Sequence, residues 1–182
     1  MEKYPENEIH PTAIIHSSVV MGKNNYIGAY TIIEENVIIG NDNYIGMQCI
    51  IGDIGESVNF FNQPKHGVII GNNNRFTKQI TIDSGTVSPT IIENNTLWLK
   101  NAHVGHDSHI HDFAQARCNA IIGGHVTLNK GARVYLGAII HPRLTLPENC
   151  IVGMGAVVVK KTELLENGVY IGNPARLLRI NQ

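Results

Sequence analysis

The sequence is poor in charged residues, aromatic residues and cysteine, and it contains no long hydrophobic run. Its 15 acidic and 14 basic residues nearly balance, so there is no global charge to indicate binding to nucleic acid or to a membrane surface. The three cysteines are spaced too widely for a zinc motif or a disulfide framework. No apolar run approaches the roughly 20 residues of a membrane span, and the opening segment MEKYPENEIH has no hydrophobic signal region. We therefore expect a cytoplasmic protein with no nucleic-acid partner and no membrane insertion.

Basic residues outnumber acidic residues in the last third of the chain. From residue 130 onward the basic residues are Lys130, Arg133, Arg143, Lys160, Lys161, Arg176 and Arg179, and the acidic residues are Glu148, Glu163 and Glu166. This excess of positive charge suits a phosphate-bearing ligand, but an ordinary solvated surface explains it equally well.

A six-residue repeat runs through almost the whole chain. An apolar residue opens each hexad, and there are eight hexads from residue 9 to 51, three from 70 to 82 and twelve from 92 to 158. The opening residues are Ile9, Ile15, Met21, Ile27, Ile33, Ile39, Ile45, Ile51, Ile70, Phe76, Ile82, Ile92, Trp98, Val104, Ile110, Ala116, Ile122, Leu128, Val134, Ile140, Leu146, Val152 and Val158. Glycine recurs at the second position and asparagine at the third to fifth, and both residues tolerate the positive φ angles of sharp turns.

This repeat is typical of a parallel β-helix, an all-β fold in which each hexad is a short strand and a turn. Three hexads close one triangular coil of 18 residues, and successive coils stack at roughly 4.8 Å. We expect a single-stranded β-helix over residues 9–163, with loops at 53–69 and 83–91 where the phase is lost. Residues 164–182 are expected to form an extension in which Asn173-Pro174 begins a short helix that covers the open end. Cys49 and Cys150 occupy the small fifth position and are interpreted as packed thiols.

A column of histidines is expected on one side of this prism. The hexads that open at residues 104, 122 and 140 should lie above one another, and they carry His106 with Asp107, then His125, then His141, with His103 just before the first. His125 follows Asp107 by 18 residues, so the two should be stacked neighbours beside the loop at 83–91. Histidine has an unperturbed pKa of ~6.5, which suits a general base, and a neighbouring carboxylate orients its ring. The column therefore predicts a catalytic cleft, whereas isolated histidines such as His109 are interpreted as surface residues.

The stretch Asn101-Ala-His-Val-Gly-His-Asp107, with Ile122-Gly-Gly-His125 and Ile140-His141, resembles the hexapeptide-repeat UDP-N-acetylglucosamine acyltransferases that begin lipid A synthesis. The resemblance implies a left-handed β-helix and a homotrimer with the donor arm between subunits. It also implies a general base that removes a proton from the acceptor as it attacks a thioester, while a backbone N–H holds the oxyanion.

Carried onto this sequence, the resemblance implies a role for each residue of the column. His106 is the general base and Asp107 its orienting partner, and His103, His125 and His141 contact the substrate. Asp83 stands where those enzymes have a histidine associated with acceptor binding, so it is a further candidate for contact with the acceptor.

The end of the chain departs from that family, which continues into a longer helical domain. Val152-Gly-Met-Gly-Ala-Val-Val-Val-Lys160 and Val169-Tyr-Ile-Gly-Asn-Pro-Ala-Arg176 resemble instead the end of coenzyme-A-dependent hexapeptide acetyltransferases. That resemblance implies donor contacts at Gly137, Gly155, Ala156, Lys160 and Arg176, through close backbone approach and positive charge. A simple turn into a helix would explain the second segment equally well.

Several functions follow from these resemblances. The favoured one is transfer of an acetyl group from acetyl-CoA to an amino or hydroxyl group of a nucleotide-linked sugar, for surface polysaccharide or lipopolysaccharide. The alternative is a UDP-sugar acyltransferase of lipid A synthesis that takes a 3-hydroxyacyl group from acyl carrier protein.

Two readings from other classes are less favoured. A γ-type carbonic anhydrase is suggested by the five-residue spacing of His106 and His111, but Ile70 stands where its upstream zinc ligand is expected, so we expect no metal. A purely structural β-helix leaves the histidine column without a role.

Overall fold

The chain is built from short β-strands. The structure, a computed structural model, describes residues 3–55 and 65–181. These residues form 25 strands and no helix. Within the described ranges, accordingly, no helix has the length and apolarity required to cross a membrane.

In chain order the strands are β1 (Glu8–Ile9), β2 (Ile14–Ile15), β3 (Val20–Met21), β4 (Tyr26–Ile27), β5 (Ile32–Ile33), β6 (Val37–Ile39), β7 (Tyr44–Met47), β8 (Ile50–Asp53), β9 (Val68–Ile70), β10 (Arg75–Lys78), β11 (Thr81–Asp83), β12 (Thr90–Ile92), β13 (Leu97–Trp98), β14 (His103–Val104), β15 (His109–Ile110), β16 (Gln115–Ala116), β17 (Ile121–Ile122), β18 (Thr127–Leu128), β19 (Arg133–Val134), β20 (Ile139–Ile140), β21 (Thr145–Leu146), β22 (Ile151–Val152), β23 (Val157–Val158), β24 (Gly168–Ile171) and β25 (Arg176–Ile180).

The first 23 strands form the three faces of a parallel β-helix, and each strand from β1 to β20 pairs with the one three places further along the chain. Sheet A contains β1, β4, β7, β10, β13, β16, β19, β22, β24 and β25; sheet B contains β2, β5, β8, β11, β14, β17, β20 and β23; sheet C contains β3, β6, β9, β12, β15, β18 and β21. Each of the 23 predicted hexads supplies one of these strands. The predicted parallel β-helix is therefore confirmed.

The core lies inside the prism and consists of the residues that open the hexads. From Ile27 to Val158 every one of them is at most 2% exposed. The small fifth positions fill the remaining space, and Cys49 and Cys150 are fully buried there, as predicted. Burial raises the pKa of the Cys49 thiol to about 11 and that of the Cys150 thiol to about 12, so both are protonated packing groups at neutral pH.

The predicted helix at the end of the chain is wrong. Arg176–Ile180 is strand β25, which pairs antiparallel with β24, and β24 pairs parallel with β22. Isolated helices shorter than about 12 residues are marginal, whereas the free edge of β24 offers a row of hydrogen-bonding partners. The end of the β-helix is covered by backbone pairing: Val157 N–H donates to Gly172 O, and Ala175 N–H donates to Val157 O.

Candidate active site

The candidate site lies at the corner of the prism where the chain passes from sheet B to sheet C. Asp107, His125 and Arg143 are the fourth residues of equivalent hexads on successive coils, with φ angles of 58°, 56° and 64°. Their left-handed backbone turns the chain at this corner. The pairing of β14, β17 and β20 keeps the three coils in an 18-residue register, so the three side chains form one column.

His106 and Asp107 form a hydrogen-bonded dyad at the head of the column. His106 Nδ1 lies 2.7 Å from Asp107 Oδ2. An ionised carboxylate only accepts hydrogen bonds, so the His106 ring donates its Nδ1–H to Asp107. This tautomer places the lone pair of a neutral ring on Nε2, where it is available to accept a proton.

The loop at 83–91 holds the Asp107 carboxylate in place. Oδ1 accepts the backbone N–H groups of Thr86, Val87 and Ser88, at 3.0, 2.8 and 2.8 Å, and Oδ2 accepts the Thr86 hydroxyl at 2.7 Å. Burial acts to raise the pKa of Asp107, but the hydrogen bonds from His106, Ser88, Thr86 and Val87 outweigh it and hold this pKa well below its usual range. Asp107 is therefore a fixed negative charge at neutral pH.

His125 lies directly beside this dyad. Its Nε2 is 3.7 Å from Asp107 Oδ2, and its ring meets the His106 ring edge to face, with centroids 5.0 Å apart. Burial is the largest cause that lowers the pKa of His125, with smaller contributions from the charges of Arg143 and His106, and it outweighs the opposing effect of Asp107. His125 is accordingly held toward its neutral form, able to donate and accept hydrogen bonds.

His103 and Asp83 form the wall of the site on sheet B. His103 Nδ1 is 2.8 Å from the Thr81 hydroxyl, and its Nε2 is 3.7 Å from the buried Asp83 carboxylate. The register that pairs Thr81 with His103 positions both side chains on the outer face of the sheet.

Two glycines allow the chain to close around His106. A Cβ added to Gly124 would lie 2.7 Å from His106 Nε2, and one added to Gly55 would lie 2.8 Å from His106 Cβ. Both distances are shorter than carbon atoms tolerate, so the backbone approaches the ring only because these side chains are absent. The His106 side chain is 17% exposed as a result.

These residues line a cleft of about 240 Å³, bounded by Asp83, His103, Gly105, His106, Ile121, Gly123, Gly124, His125, Pro142 and Arg143. A second hollow of about 230 Å³ shares Asp83 and His103 with it and extends along sheet B. An imidazole whose Nε2 faces the cleft, a fixed carboxylate beside it and several further imidazole groups are suited to general acid–base chemistry on a polar substrate.

His141 lies outside this cleft. It is exposed, and its Nδ1 lies 2.8 Å from the carbonyl oxygen of Pro142. The predicted column placed His141 above His125, but the residue 18 positions after His125 is Arg143, which does line the cleft. Sequence reasoning missed Arg143, although the same count from His125 identifies it.

The predicted donor contacts lie away from the histidine cleft. Gly137 and Gly155 are at the corner between sheets A and B, with no atom within 4 Å of an added Cβ, whereas Ala156 is fully buried and its methyl group belongs to the core. Lys160 is exposed beyond β23. Arg176 lines a cavity of about 540 Å³ near the end of the chain, together with Lys161 and Tyr170. The structure of the single chain does not bring these residues to the histidine cleft.

The histidine pair of the carbonic-anhydrase alternative is also separated. His106 pairs with Asp107, whereas His111 pairs with Glu93 at 2.9 Å on another face. Among the described residues, no group of close ligand atoms contains both histidines.

Comparison with known families gives one match within the repeat. Residues 18–53 match the model of the bacterial transferase hexapeptide (six repeats). Among curated proteins, an acyl-[acyl-carrier-protein]–UDP-N-acetylglucosamine O-acyltransferase of Rickettsia bellii is 29% identical over 124 residues, which are 57% of this chain and 44% of that protein. The match thus spans less than half the length of that relative.

Solved structures match the chain over almost its whole length. A UDP-N-acetylglucosamine acyltransferase from Francisella novicida superposes with a TM-score of 0.80 at 24% identity, over 98% of this chain and 70% of that chain. A UDP-N-acetylglucosamine O-acyltransferase from Moraxella catarrhalis RH4 has a TM-score of 0.55 at 26% identity, over 98% of this chain and 74% of that chain.

Proposed function

We propose that this protein transfers an acyl group from a thioester to a nucleotide-linked sugar. The chain carries the bacterial transferase hexapeptide repeat and resembles the hexapeptide-repeat acyltransferases, which supports this proposal. The acceptor atom is an amino or hydroxyl group, and His106 is the general base. The observation that carries the proposal is the bond of 2.7 Å between His106 Nδ1 and Asp107 Oδ2, which leaves Nε2 as the basic atom in the cleft.

The proposed reaction balances its protons within the cleft. His106 Nε2 takes the proton from the acceptor group as that atom attacks the thioester carbonyl carbon. The positive charge that forms on the ring is stabilised by Asp107. When the tetrahedral intermediate collapses and the C–S bond breaks, the imidazolium returns its proton to the departing thiolate.

The rim of the cleft suits the acceptor that we propose. His103, His125 and Asp83 offer hydrogen bonds to sugar hydroxyl groups, and Arg143 supplies a positive charge at the same opening. A guanidinium group binds phosphate oxygens in a bidentate manner, so Arg143 is our candidate for contact with the diphosphate of a nucleotide sugar.

Acetyl-CoA and acyl carrier protein remain the two candidate donors, and both present a thioester on a phosphopantetheine arm. The excess of positive charge after residue 130, including Lys160 and Arg176, supports a phosphate-rich donor such as acetyl-CoA. The Rickettsia bellii relative, which is named for acyl carrier protein, supports the second donor.

We further propose that the active unit is a homotrimer that packs through the outer face of sheet B. Along that face the outward side chains are apolar on both sides of the cleft wall, at Ile14, Ile32, Ile50, Ile121, Ile139 and Val157. Of these, Ile14 is 63% and Ile121 43% exposed in the single chain. Burying such a face is favourable at about 25 cal/mol per Å².

Substitution of His106 tests the proposal. With UDP-N-acetylglucosamine and related nucleotide sugars as acceptors, and acetyl-CoA or acyl carrier protein thioesters as donors, His106→Gln is expected to lower turnover by about 10²–10⁴-fold. The folded structure should persist, because glutamine keeps a polar group of similar reach. His16→Ala, which removes an exposed histidine on another coil, is the matched control. Turnover by His106→Gln close to that of the natural protein would overturn the assignment of the base.

A further inference from the structure

A second cluster of titratable side chains lies on the outer face of sheet C, away from the cleft. His109 is on β15, His111 follows that strand directly, and Glu93 follows β12. The pairing of Ile92 with Ile110 brings Glu93 beside His111 on the adjacent coil. Each of the three residues donates its backbone N–H to the next coil, so the positions from which these side chains project are fixed by the sheet.

Both imidazole rings converge on one carboxylate oxygen. His109 Nε2 and His111 Nδ1 each lie 2.9 Å from Glu93 Oε1, and the rings stack with their centroids 4.1 Å apart. The other oxygen, Glu93 Oε2, accepts the backbone N–H of Asp112 at 3.1 Å. That bond orients the carboxylate and directs Oε1 toward the two rings.

We propose that Glu93, His109 and His111 bind a divalent transition-metal ion of the zinc type. Two imidazole nitrogens and one carboxylate oxygen are a ligand set that zinc accepts, with water in the remaining position. Metal–ligand distances of about 2.0–2.2 Å in a tetrahedral complex separate the ligand atoms by roughly 3.3–3.5 Å. The contacts of 2.9 Å therefore need to widen by only about half an ångström to admit the ion.

Protons balance without a further reactant. Each neutral ring that now presents an N–H to Glu93 moves that proton to its other nitrogen and coordinates the metal through the lone pair.

The cleft holds a similar set of atoms but is a poorer site for an ion. His106, Asp107 and His125 also place their ligand atoms close together. The oxygens of Asp107, however, already accept hydrogen bonds from Thr86, Val87 and Ser88 as well as from His106. A metal there would have to displace the loop that holds the carboxylate, whereas Glu93 Oε1 faces two imidazoles.

The ion would also tie two coils together behind the cleft. Glu93 follows β12, the last strand of the coil that contains the loop at 83–91, and His111 follows β15 of the next coil, which carries Asp107. Coordination would therefore stabilise the pair of coils whose contact positions the catalytic dyad. The sequence predicted no metal because Ile70 stands where an upstream zinc ligand is expected. Spacing alone did not show that Glu93 meets His109 and His111.

Calorimetric titration of the untagged full chain with Zn²⁺ after chelator treatment tests this site. We expect one ion per chain, and an affinity at least about 100-fold lower in Glu93→Gln and in His111→Ala, since loss of even an outer partner costs 10–100-fold. Zn²⁺ should raise the unfolding temperature of the natural protein and leave that of Glu93→Gln unchanged. His16→Ala is the control and should bind as the natural protein does.

Two results would overturn the site. One is binding that survives both substitutions; the other is binding that is lost in His106→Ala, which would place the ion in the cleft. Since the readouts are metal affinity and unfolding temperature, failure here leaves the acyltransferase proposal unaffected. Absence of acyltransferase activity likewise leaves the metal site testable.

Discussion

At the scale of single residues, Asp107 joins the parts of the candidate site. Its carboxylate accepts a hydrogen bond from the Nδ1–H of His106 and lies 3.7 Å from His125 Nε2. It also accepts hydrogen bonds from three consecutive backbone amides of the loop at 83–91. One side chain thus sets the tautomer of the proposed base, the field at the neighbouring imidazole and the position of the loop. Substitutions around it should therefore change activity well before they unfold the β-helix.

Gly124 should be required for activity more than for folding. Gly124→Ala would place a methyl carbon 2.7 Å from His106 Nε2, so the ring must rotate away from the acceptor. We expect turnover to fall by at least about 10²-fold, the value of a positioned base, with little change in the unfolding temperature.

The matched control for Gly124 is Gly131→Ala, at a corner between sheets C and A. Its φ of +69° strains any residue with a Cβ, and the added methyl group would press on the Asn149 side chain, away from the cleft. This variant should therefore lose about 1 kcal/mol of stability or more and keep its turnover. Equal effects of the two substitutions on turnover and stability would contradict the proposed close approach.

Arg143 and His141 should differ in their contribution to acceptor binding. Arg143→Ala removes the cationic side chain at the rim of the cleft, whereas His141→Ala removes a ring that the structure places outside it. We expect Arg143→Ala to raise KM for the nucleotide sugar by about 10-fold or more, in line with one charge-assisted hydrogen bond, with a smaller change in kcat. If KM for the nucleotide sugar rose more in His141→Ala than in Arg143→Ala, His141 would be the substrate contact, as the sequence predicted.

At the scale of elements, the loop at 83–91 is an insertion that the site depends on. It interrupts the repeat between β11 and β12. Near its start it is joined to the preceding insertion, where His66 N–H donates to Gly85 O and Gly85 N–H donates to Gly67 O. The loop whose backbone amides hold Asp107 is thus itself held by hydrogen bonds to His66 and Gly67 of the preceding insertion. The hexads on either side hold the two ends of the loop in place through the pairing of β11 and β12 with the adjacent coils.

Asp107→Asn should loosen this loop in a pH-dependent way. The pKa of Asp107 is lower in the folded chain than the ~3.9 of an unfolded one, so its contribution to stability is full above that value and is lost as the pH falls through the folded-state pKa. We expect the variant to lose at least about 2 kcal/mol of stability at pH 7, with a smaller difference from the natural protein below about pH 3.9.

Hydrogen exchange of the amides of Thr86, Val87 and Ser88 provides the local measurement for the same variant. These amides should exchange faster in Asp107→Asn, while those of the paired strands stay protected. Unchanged exchange at these three positions would mean that the carboxylate does not hold the loop.

At the scale of the whole molecule, the outer faces of sheets B and C differ in character. In the second half of the chain the outward residues of sheet B are Ile121, Ile139 and Val157, whereas those of sheet C are His109, Thr127 and Thr145. An exposed apolar face beside the cleft is the surface that we assign to the interface between subunits. A polar face with a metal-binding cluster is the surface that should stay in solvent.

Ile139→Glu, on the outer face of sheet B and outside the cleft lining, should therefore break the proposed trimer. A charge buried at that position costs several kcal/mol without a partner, so sedimentation should show monomers and turnover should fall. Thr127→Glu adds the same charge on the outer face of sheet C and is expected to leave the trimer intact. A natural protein that sediments as a monomer would remove the shared-site part of the proposal.

The order of the strands could be read from the sequence because the core of a β-helix is one-dimensional. Each hexad contacts its neighbours 18 residues away, so an apolar residue at every sixth position determines both the strands and their register. For the same reason the count of hexads placed His125 beside Asp107, and the loop at 83–91 beside Asp107. Cys49 and Cys150 followed from the same periodicity.

Other features were decided by tertiary contacts that no repeat encodes. The apolar residues Leu177, Leu178 and Ile180 lie in a strand rather than a helix, because the free edge of β24 supplies backbone partners that a five-residue helix lacks. His141 points out of the cleft and Arg143 lines it, because position within the corner, and not residue type, directs a side chain.

The sequence by itself determined the coil, its core and the side of the prism on which the histidines gather, since these depend on spacing alone. The tertiary structure decided which atoms meet: the loop amides on Asp107, the ring of His106 against Gly124, and Glu93 between His109 and His111. These contacts depend on side-chain direction and on loops outside the repeat. The distances between these atoms are therefore set by the folded coils and loops and cannot be read from residue spacing.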